Sequence, residues 1–178
     1  MFTPKGAIFA AALSLAIVAE ASMAETPHLG KPIDEAAIAN WDISIMPDGT
    51  GLPKGSGTAA QGAPIYAEKC AACHGDNGKG GGIASALVSD LKIEGISAAR
   101  KTIKNFIGDS TTIFDFIRRA MPFNAPRSLT DDEVYALTAY ILAENKLIGA
   151  DDVMSAQTLP KVKMPNRDNF IIRFPDRI

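Results

Sequence analysis

The sequence predicts an all-α protein, and three observations support that prediction. Apolar residues recur at helical spacing in several stretches of the chain. Two stretches begin with helix-capping residues, Ser110-Thr111-Thr112 and Thr130-Asp131-Asp132-Glu133, and the second of these is a capping box. Pro122 ends one helix at Met121, because proline cannot continue a helix. Glycine-rich and proline-rich segments between and after these stretches predict loops and extended chain.

Four helices are predicted in chain order. They run from about Gly62 to Ala72, from Ile96 to Ile107, from Ser110 to Met121 and from Thr130 to about Asn145. The last has the clearest apolar side, formed by Val134, Leu137, Tyr140 and Ile141. The basic residues of the helix from Ile96 to Ile107 predict that one of its faces is solvated.

The first residues have the pattern of a secretory signal peptide. Lys5 gives a positive start, a short apolar run follows, and small residues end at Ala24. The apolar run is shorter than the roughly 20 residues that a membrane-spanning helix needs. Cleavage near Ala24 predicts export to the periplasm with no membrane attachment.

Removal of these 24 of the 178 residues leaves 154, which is enough for one domain. We divide the chain into a signal peptide (1–24), an N-terminal wrapping segment (25–61), the helical domain (62–148) and an extended C-terminal tail (149–178). The tail either lies on the body of the protein or reaches toward a partner. A net charge of −2 gives no indication of nucleic acid as a partner.

The run Cys70-Ala71-Ala72-Cys73-His74 carries the chemistry of the chain. A C-x-x-C-H run is the attachment pattern of c-type haem, in which two thiols join the porphyrin vinyl groups and the histidine ligates iron. A thioredoxin-like site needs a βαβ context and no following histidine, and a zinc site needs four ligands where the chain has two Cys and two His. The sequence therefore predicts one covalent haem c, with His74 as an axial ligand.

The second axial ligand decides between an electron carrier and an open-site catalyst or sensor. Met121 is the predicted ligand, because two helices separate it from His74 and the closing helix follows it. Core filling is the alternative for any methionine. The other candidates lie upstream, near the mature N-terminus or after the closing helix: Met46, His28, Met154 and Met164. Arg118 and Arg119 either pair with haem propionates or form a positive collar, and ordinary surface charge is the alternative.

These elements resemble a class I cytochrome c from about Gly62 to Asn145. The resemblance implies an all-helical fold around one haem, with Cys70 and Cys73 attached, His74 proximal and Met121 distal. Gly62 and Tyr66 then pair with Leu137 and Tyr140 where the first and last helices meet, and Tyr66 is counted among the residues at the cofactor. The family usually places a proline carbonyl after the haem motif to orient the histidine. This chain has glycine and polar residues there, so the sequence names no acceptor.

A narrower resemblance rests on four stretches: Trp41 to Gly57, Thr111 to Phe123, Leu129 to Leu142 and Lys161 to Asp168. They look like the cytochrome subunits of periplasmic sulfite dehydrogenases and of the related sulfane dehydrogenase. The resemblance implies a molybdenum-cofactor catalytic subunit as electron donor and a soluble cytochrome c as acceptor. It implies no catalytic site in this chain. A general periplasmic shuttle without a dedicated partner, and a haem sensor or enzyme with an open sixth position, remain as alternatives.

Overall fold

The computed structural model describes residues 29–39, 41–90 and 101–171. The chain forms two units, residues 1–41 and residues 42–178. In the described part of the first unit, helix α1 (Glu35–Ala39) is preceded by Asp34, whose Oδ1 accepts a hydrogen bond from the Ala37 N–H at 2.7 Å. The predicted signal peptide and His28 lie outside the described residues.

The second unit is mostly helical in its described part. Its helices are α2 (Ala59–Lys69), α3 (Ala71–His74), α4 (Ile103–Phe106), α5 (Ser110–Ala120) and α6 (Asp131–Glu144). Single 3-10 turns lie at Asp76–Gly78, Leu159–Lys161 and Arg167–Asn169. The helix predicted from Ile96 to Ile107 corresponds to α4 in the described residues. Residues 96–100 lie outside the described part.

A small sheet departs from the all-α prediction. Strands β1 (Ser56–Thr58) and β2 (Val153–Ser155) pair antiparallel, with Gly57 opposite Met154. Each strand has three residues, which is too short for the alternating pattern that predicts a strand from sequence. The sheet ties the segment before α2 to the chain after α6.

Helices α2 and α6 cross in close contact at Gly62. A Cβ atom on Gly62 would lie 2.6 Å from the Ala136 carbonyl carbon and 2.8 Å from Tyr140 Cβ, so only glycine allows this approach. One turn later, the rings of Tyr66 and Tyr140 pack with centroids 4.9 Å apart. The predicted meeting of the first and last helices is confirmed at these residues.

Capping boxes set the starts of both crossing helices. Thr130 accepts from the Glu133 N–H at 3.2 Å while Glu133 accepts from the Thr130 N–H at 2.8 Å, as predicted. Thr58 and Gln61 form the same box at α2. The prediction started α2 at Gly62 because it did not use this T-x-x-Q signal.

The core of the second unit lies around α6 and extends into the C-terminal segment. It is formed by α5 and α6 side chains together with Tyr66 and three residues beyond α6: Met154, Leu159 and Met164. The last three are 4%, 0% and 2% exposed. The tail was predicted either to lie on the body of the protein or to reach toward a partner. Residues 153–166 lie on the body. Within the described residues, no helix combines the length and apolar character that crossing a membrane requires.

Candidate haem-binding site

The C-x-x-C-H run lies at a break between two helices. Helix α2 ends at Lys69, Cys70 has non-helical backbone angles, and α3 makes one turn from Ala71 to His74. The N–H groups of Cys73 and His74 donate to the Cys70 carbonyl at 3.1 and 2.9 Å. This turn brings the two cysteines, three residues apart, onto one side of the helix and places His74 directly after them.

The ring of His74 has a fixed acceptor. Its Nδ1 lies 2.9 Å from the carbonyl oxygen of Ser85. A carbonyl only accepts, so Nδ1 carries the proton and donates, and in the neutral imidazole Nε2 then keeps its lone pair. An imidazole held through one nitrogen, with the other nitrogen unprotonated, is the form that ligates a metal. Ser85 was missed from the sequence because a backbone carbonyl has no residue-type signature.

A loop folded against α3 brings Ser85 to His74. Gly80 N–H donates to the His74 carbonyl at 2.8 Å, and Ala84 N–H donates to the Cys73 carbonyl at 3.0 Å. Gly75 begins the loop with φ +78°, and its Cα faces the Gly80 backbone so closely that a Cβ atom would overlap the Gly80 carbonyl. The glycine content of the loop therefore serves close backbone approach.

Tyr66, which we predicted at the cofactor, supports this loop through a hydrogen bond. Its hydroxyl donates to the Gly75 carbonyl at 3.1 Å, and its side chain is 2% exposed. Burial raises its pKa above the usual value for tyrosine, so the hydroxyl stays protonated and remains a donor. Tyr140 adds a second support, donating to Asn77 Oδ1 at 3.1 Å. Tyr66 thus connects the α2–α6 crossing to the residue that follows His74.

Cys70 lacks the lowered pKa of a redox-active thiol. Burial raises the pKa of Cys70 to about 11, with Cys73 adding to the rise and Lys69 opposing it. Redox-active C-x-x-C thiols have pKa values lowered to about 3.5–7.5. Cys70 and Cys73 are not joined to each other. In the described residues, no three His, Cys, Asp or Glu side chains cluster as a metal site. Two thiols on one side of a single turn, with His74 beside them and its Nδ1 donating to Ser85, fit a haem with His74 as its iron ligand.

Met121 ends α5. Its N–H donates to the Ile117 carbonyl at 3.1 Å, and its half-buried side chain packs against the same core cluster as Cys70. Met154 and Met164 are buried in that core, away from the surface. Met46 is half-buried in a turn, where its N–H donates to the Thr50 carbonyl. Ligation by Met121 stays a prediction.

Arg118 and Arg119 already have partners in the chain. Arg118 Nε lies 3.2 Å from Asp131 Oδ1, and Arg119 Nε lies 2.7 Å from Asp115 Oδ1. Arg119 Nη2 also donates to the Ile43 carbonyl at 2.8 Å. Each guanidinium has five N–H donors, so these contacts leave donors available, and pairing with propionates stays a prediction.

Comparison with known proteins identifies the family. Residues 57–141 match the family described as cytochrome c oxidase, cbb3-type, subunit III. A chain in the crystal structure of the sulfane dehydrogenase SoxCD from Paracoccus pantotrophus is 32% identical, with a TM-score of 0.75, over 85% of this chain and 75% of that one. The chain belongs to the class I cytochrome c family. As a cytochrome c it is an electron-transfer protein that holds haem c.

A further relative of this cytochrome c is much longer. The cbb3-type cytochrome c oxidase subunit FixP of Bradyrhizobium sp. (strain ORS 278) is 49% identical over 51 residues, which are 28% of this chain. The matched stretch spans 16% of FixP. That likeness concerns a short segment of this chain.

Proposed function

We propose that this protein is a periplasmic monohaem cytochrome c that carries single electrons from a molybdenum-dependent dehydrogenase of sulfite, or of a related sulfur compound, to a downstream cytochrome c. The haem supplies a one-electron couple when bound to Cys70 and Cys73. The observation that carries the proposal is the His74 ring, held by Ser85 with Nε2 left for iron.

The chain's own residues keep the site rigid. Tyr66 and Ser85 fix the turn and the ring on the His74 side, and α5 presents Met121 as the proposed ligand on the other. Iron with two protein ligands offers no open position for oxygen or peroxide, and ligation by histidine and methionine raises the reduction potential. Such a site exchanges electrons without binding a substrate, so we propose no catalytic site in this subunit.

The choice of donor rests on the extent of the likeness to the sulfane dehydrogenase chain. That likeness covers 85% of this chain, well beyond the residues matched by the cytochrome family. It supports a sulfur-compound dehydrogenase as the partner. Oxidation of sulfite releases two electrons, so one haem would accept them in two successive transfers per turnover.

Native purification tests this proposal. The tagged mature protein is recovered from periplasm, analysed for molybdenum, and mixed with sulfite or with thiosulfate while the ferric haem spectrum is followed. We expect molybdenum in the eluate and rapid haem reduction with one of the two compounds, and neither in a mock purification of untagged periplasm. A haem protein that elutes without molybdenum and stays oxidised with both compounds would favour the general shuttle over a dedicated partner.

A further inference from the structure

The C-terminal segment from Val153 to Phe170, which we call the strap, is an integral layer of the second unit. Its β2 residues pair with β1, and its side chains Leu159, Met164 and Asn166 are 0%, 2% and 4% exposed. A segment that only served to reach a partner would not bury three side chains at this level.

Beyond β2, several strap contacts converge on one short stretch, residues 106–110, which we call the entry turn of α5. Ser110 Oγ donates to the Leu159 carbonyl at 2.6 Å, and Asn166 Nδ2 donates to the Phe106 carbonyl at 2.8 Å. Arg167 faces the Asp109 carboxylate with two nitrogens, each 3.3 Å from an oxygen. The entry turn is thus held by a buried hydroxyl, a buried amide and an ion pair.

The Phe170 ring closes the same contact. It lies against Gly108, where a Cβ atom would be 2.8 Å from two ring carbons. Four strap residues between Leu159 and Phe170 therefore contact the entry turn.

The entry turn starts the helix that ends at Met121. Helix α5 has 11 residues and is about 16 Å long, so its two ends move together as one rigid element. After Met121 and the buried Pro122, the chain from Phe123 to Ser128 is exposed and offers little packing to hold the methionine. The ion pairs of Arg118 and Arg119 are partly exposed, and such pairs contribute little. Arg119 adds one hydrogen bond to the Ile43 carbonyl at this end of α5.

We propose that the strap sets the position of the axial methionine: Ser110, Asn166 and Arg167 are positioning residues that hold α5 so that Met121 stays on the iron. This inference rests on the proposed function, because it takes Met121 as the ligand. Ile113, Phe114 and Ile117 keep α5 in the core, so release of the entry turn lets the helix shift without unfolding, and it weakens the Met121–iron bond while the haem stays attached through Cys70 and Cys73.

Competition with imidazole tests the proposal in the holoprotein. Imidazole displaces a weakly held methionine from ferric haem, so its apparent affinity reports the strength of the native bond. Asn166→Ala removes the hydrogen bond to the entry turn, and we expect imidazole to bind about tenfold more tightly than to the wild type. The reduction potential should fall, and the methionine–iron charge-transfer band should weaken.

Two further variants keep the test decisive. Arg167→Gln changes a side chain that is 41% exposed, so the protein should fold, and we expect a smaller shift in the same direction. Thr158→Val is the matched control, because Thr158 Oγ1 donates at 2.7 Å to the Val153 carbonyl and accepts from the Ser155 N–H at 2.8 Å, both inside the strap. It should lower the melting temperature and leave imidazole affinity at the wild-type value.

The outcomes separate the strap from the ligand assignment. Unchanged imidazole affinity and potential in both Asn166→Ala and Arg167→Gln would show that the strap stabilises the fold alone, and would overturn the inference while the cytochrome function stands. A wild-type protein without the methionine–iron band would overturn the Met121 assignment and the inference with it.

Discussion

Replacement of Gly62 by alanine should force apart the helix pair on which the haem site is built. The new Cβ atom would lie 2.6 Å from the Ala136 carbonyl carbon and 2.8 Å from Tyr140 Cβ. Carbon atoms pack at about 3.5–4.0 Å, so the two backbones must separate by about 0.9 Å. Overpacking of this kind costs about 1–3 kcal/mol, and contact between two backbones belongs at the upper end. Alanine returns about 1 kcal/mol through its helix propensity, which leaves a net loss of about 2 kcal/mol.

Thermal unfolding of the holoprotein measures this loss. For a domain of this size, about 2 kcal/mol lowers the melting temperature by about 4–8 °C. Gly149→Ala is the control, because its Cβ atom would meet only Asp152 at 3.4 Å, and we expect its melting temperature to stay near the wild-type value. An unchanged or higher melting temperature for Gly62→Ala would refute the close helix crossing.

Three further predictions follow from the site and its supports. Met121→Ala should open the iron and lower the reduction potential, within the roughly 0.8 V range that axial ligands span, as measured by redox titration; an unchanged potential would remove Met121 as the ligand. The hydrogen bond from the Thr130 N–H lowers the pKa of Glu133 from its usual value of 4.5; burial opposes this shift and Lys69 adds to it. The ionised carboxylate therefore stabilises the fold above pH 4.5, and this contribution is lost as pH falls through the lowered pKa. Glu133→Gln should therefore be less stable than the wild type at pH 7, and the difference should shrink as pH falls through the lowered pKa; a difference that stays constant from pH 7 into strong acid would contradict this. Deletion of residues 157–178 should lower the free energy of unfolding, measured with denaturant, by roughly 3–6 kcal/mol, because it removes the buried side chains of Leu159 and Met164 from the core. A shortened protein of native stability would contradict the core position of these side chains.

Helices with strong local signals could be predicted from the sequence. The box at Thr130 and the apolar side of α6 specify that helix locally, and the structure has it from Asp131 to Glu144. The C-x-x-C-H run is recognisable from five consecutive residues, but the break at Cys70 was not predicted, because the helix was expected to continue to Ala72. The start of α2 was readable as well, in Thr58 and Gln61, although the prediction did not use that signal.

Features that depend on distant backbone could not be predicted. The acceptor for His74 is the carbonyl of Ser85, which any residue could supply, and the partners of β1 lie about a hundred residues later in the chain. Leu159 is buried by tertiary packing, and the residues around it show no helical periodicity. The sequence therefore did not decide whether the tail lies on the body or reaches toward a partner. The carboxylate beside Arg118 likewise comes from α6, outside the range of any local pattern.

Carbon monoxide binding to the ferrous protein at neutral pH tests most directly the claim that this cytochrome is a closed-site electron carrier. The proposed ligation of iron by His74 and Met121 predicts slow or negligible binding to the wild type and rapid binding to Met121→Ala, followed by the change in the haem absorption spectrum after mixing. Rapid, stoichiometric binding to the wild type would mean that the sixth position is open, and would make the protein a ligand-binding haem protein instead of a carrier.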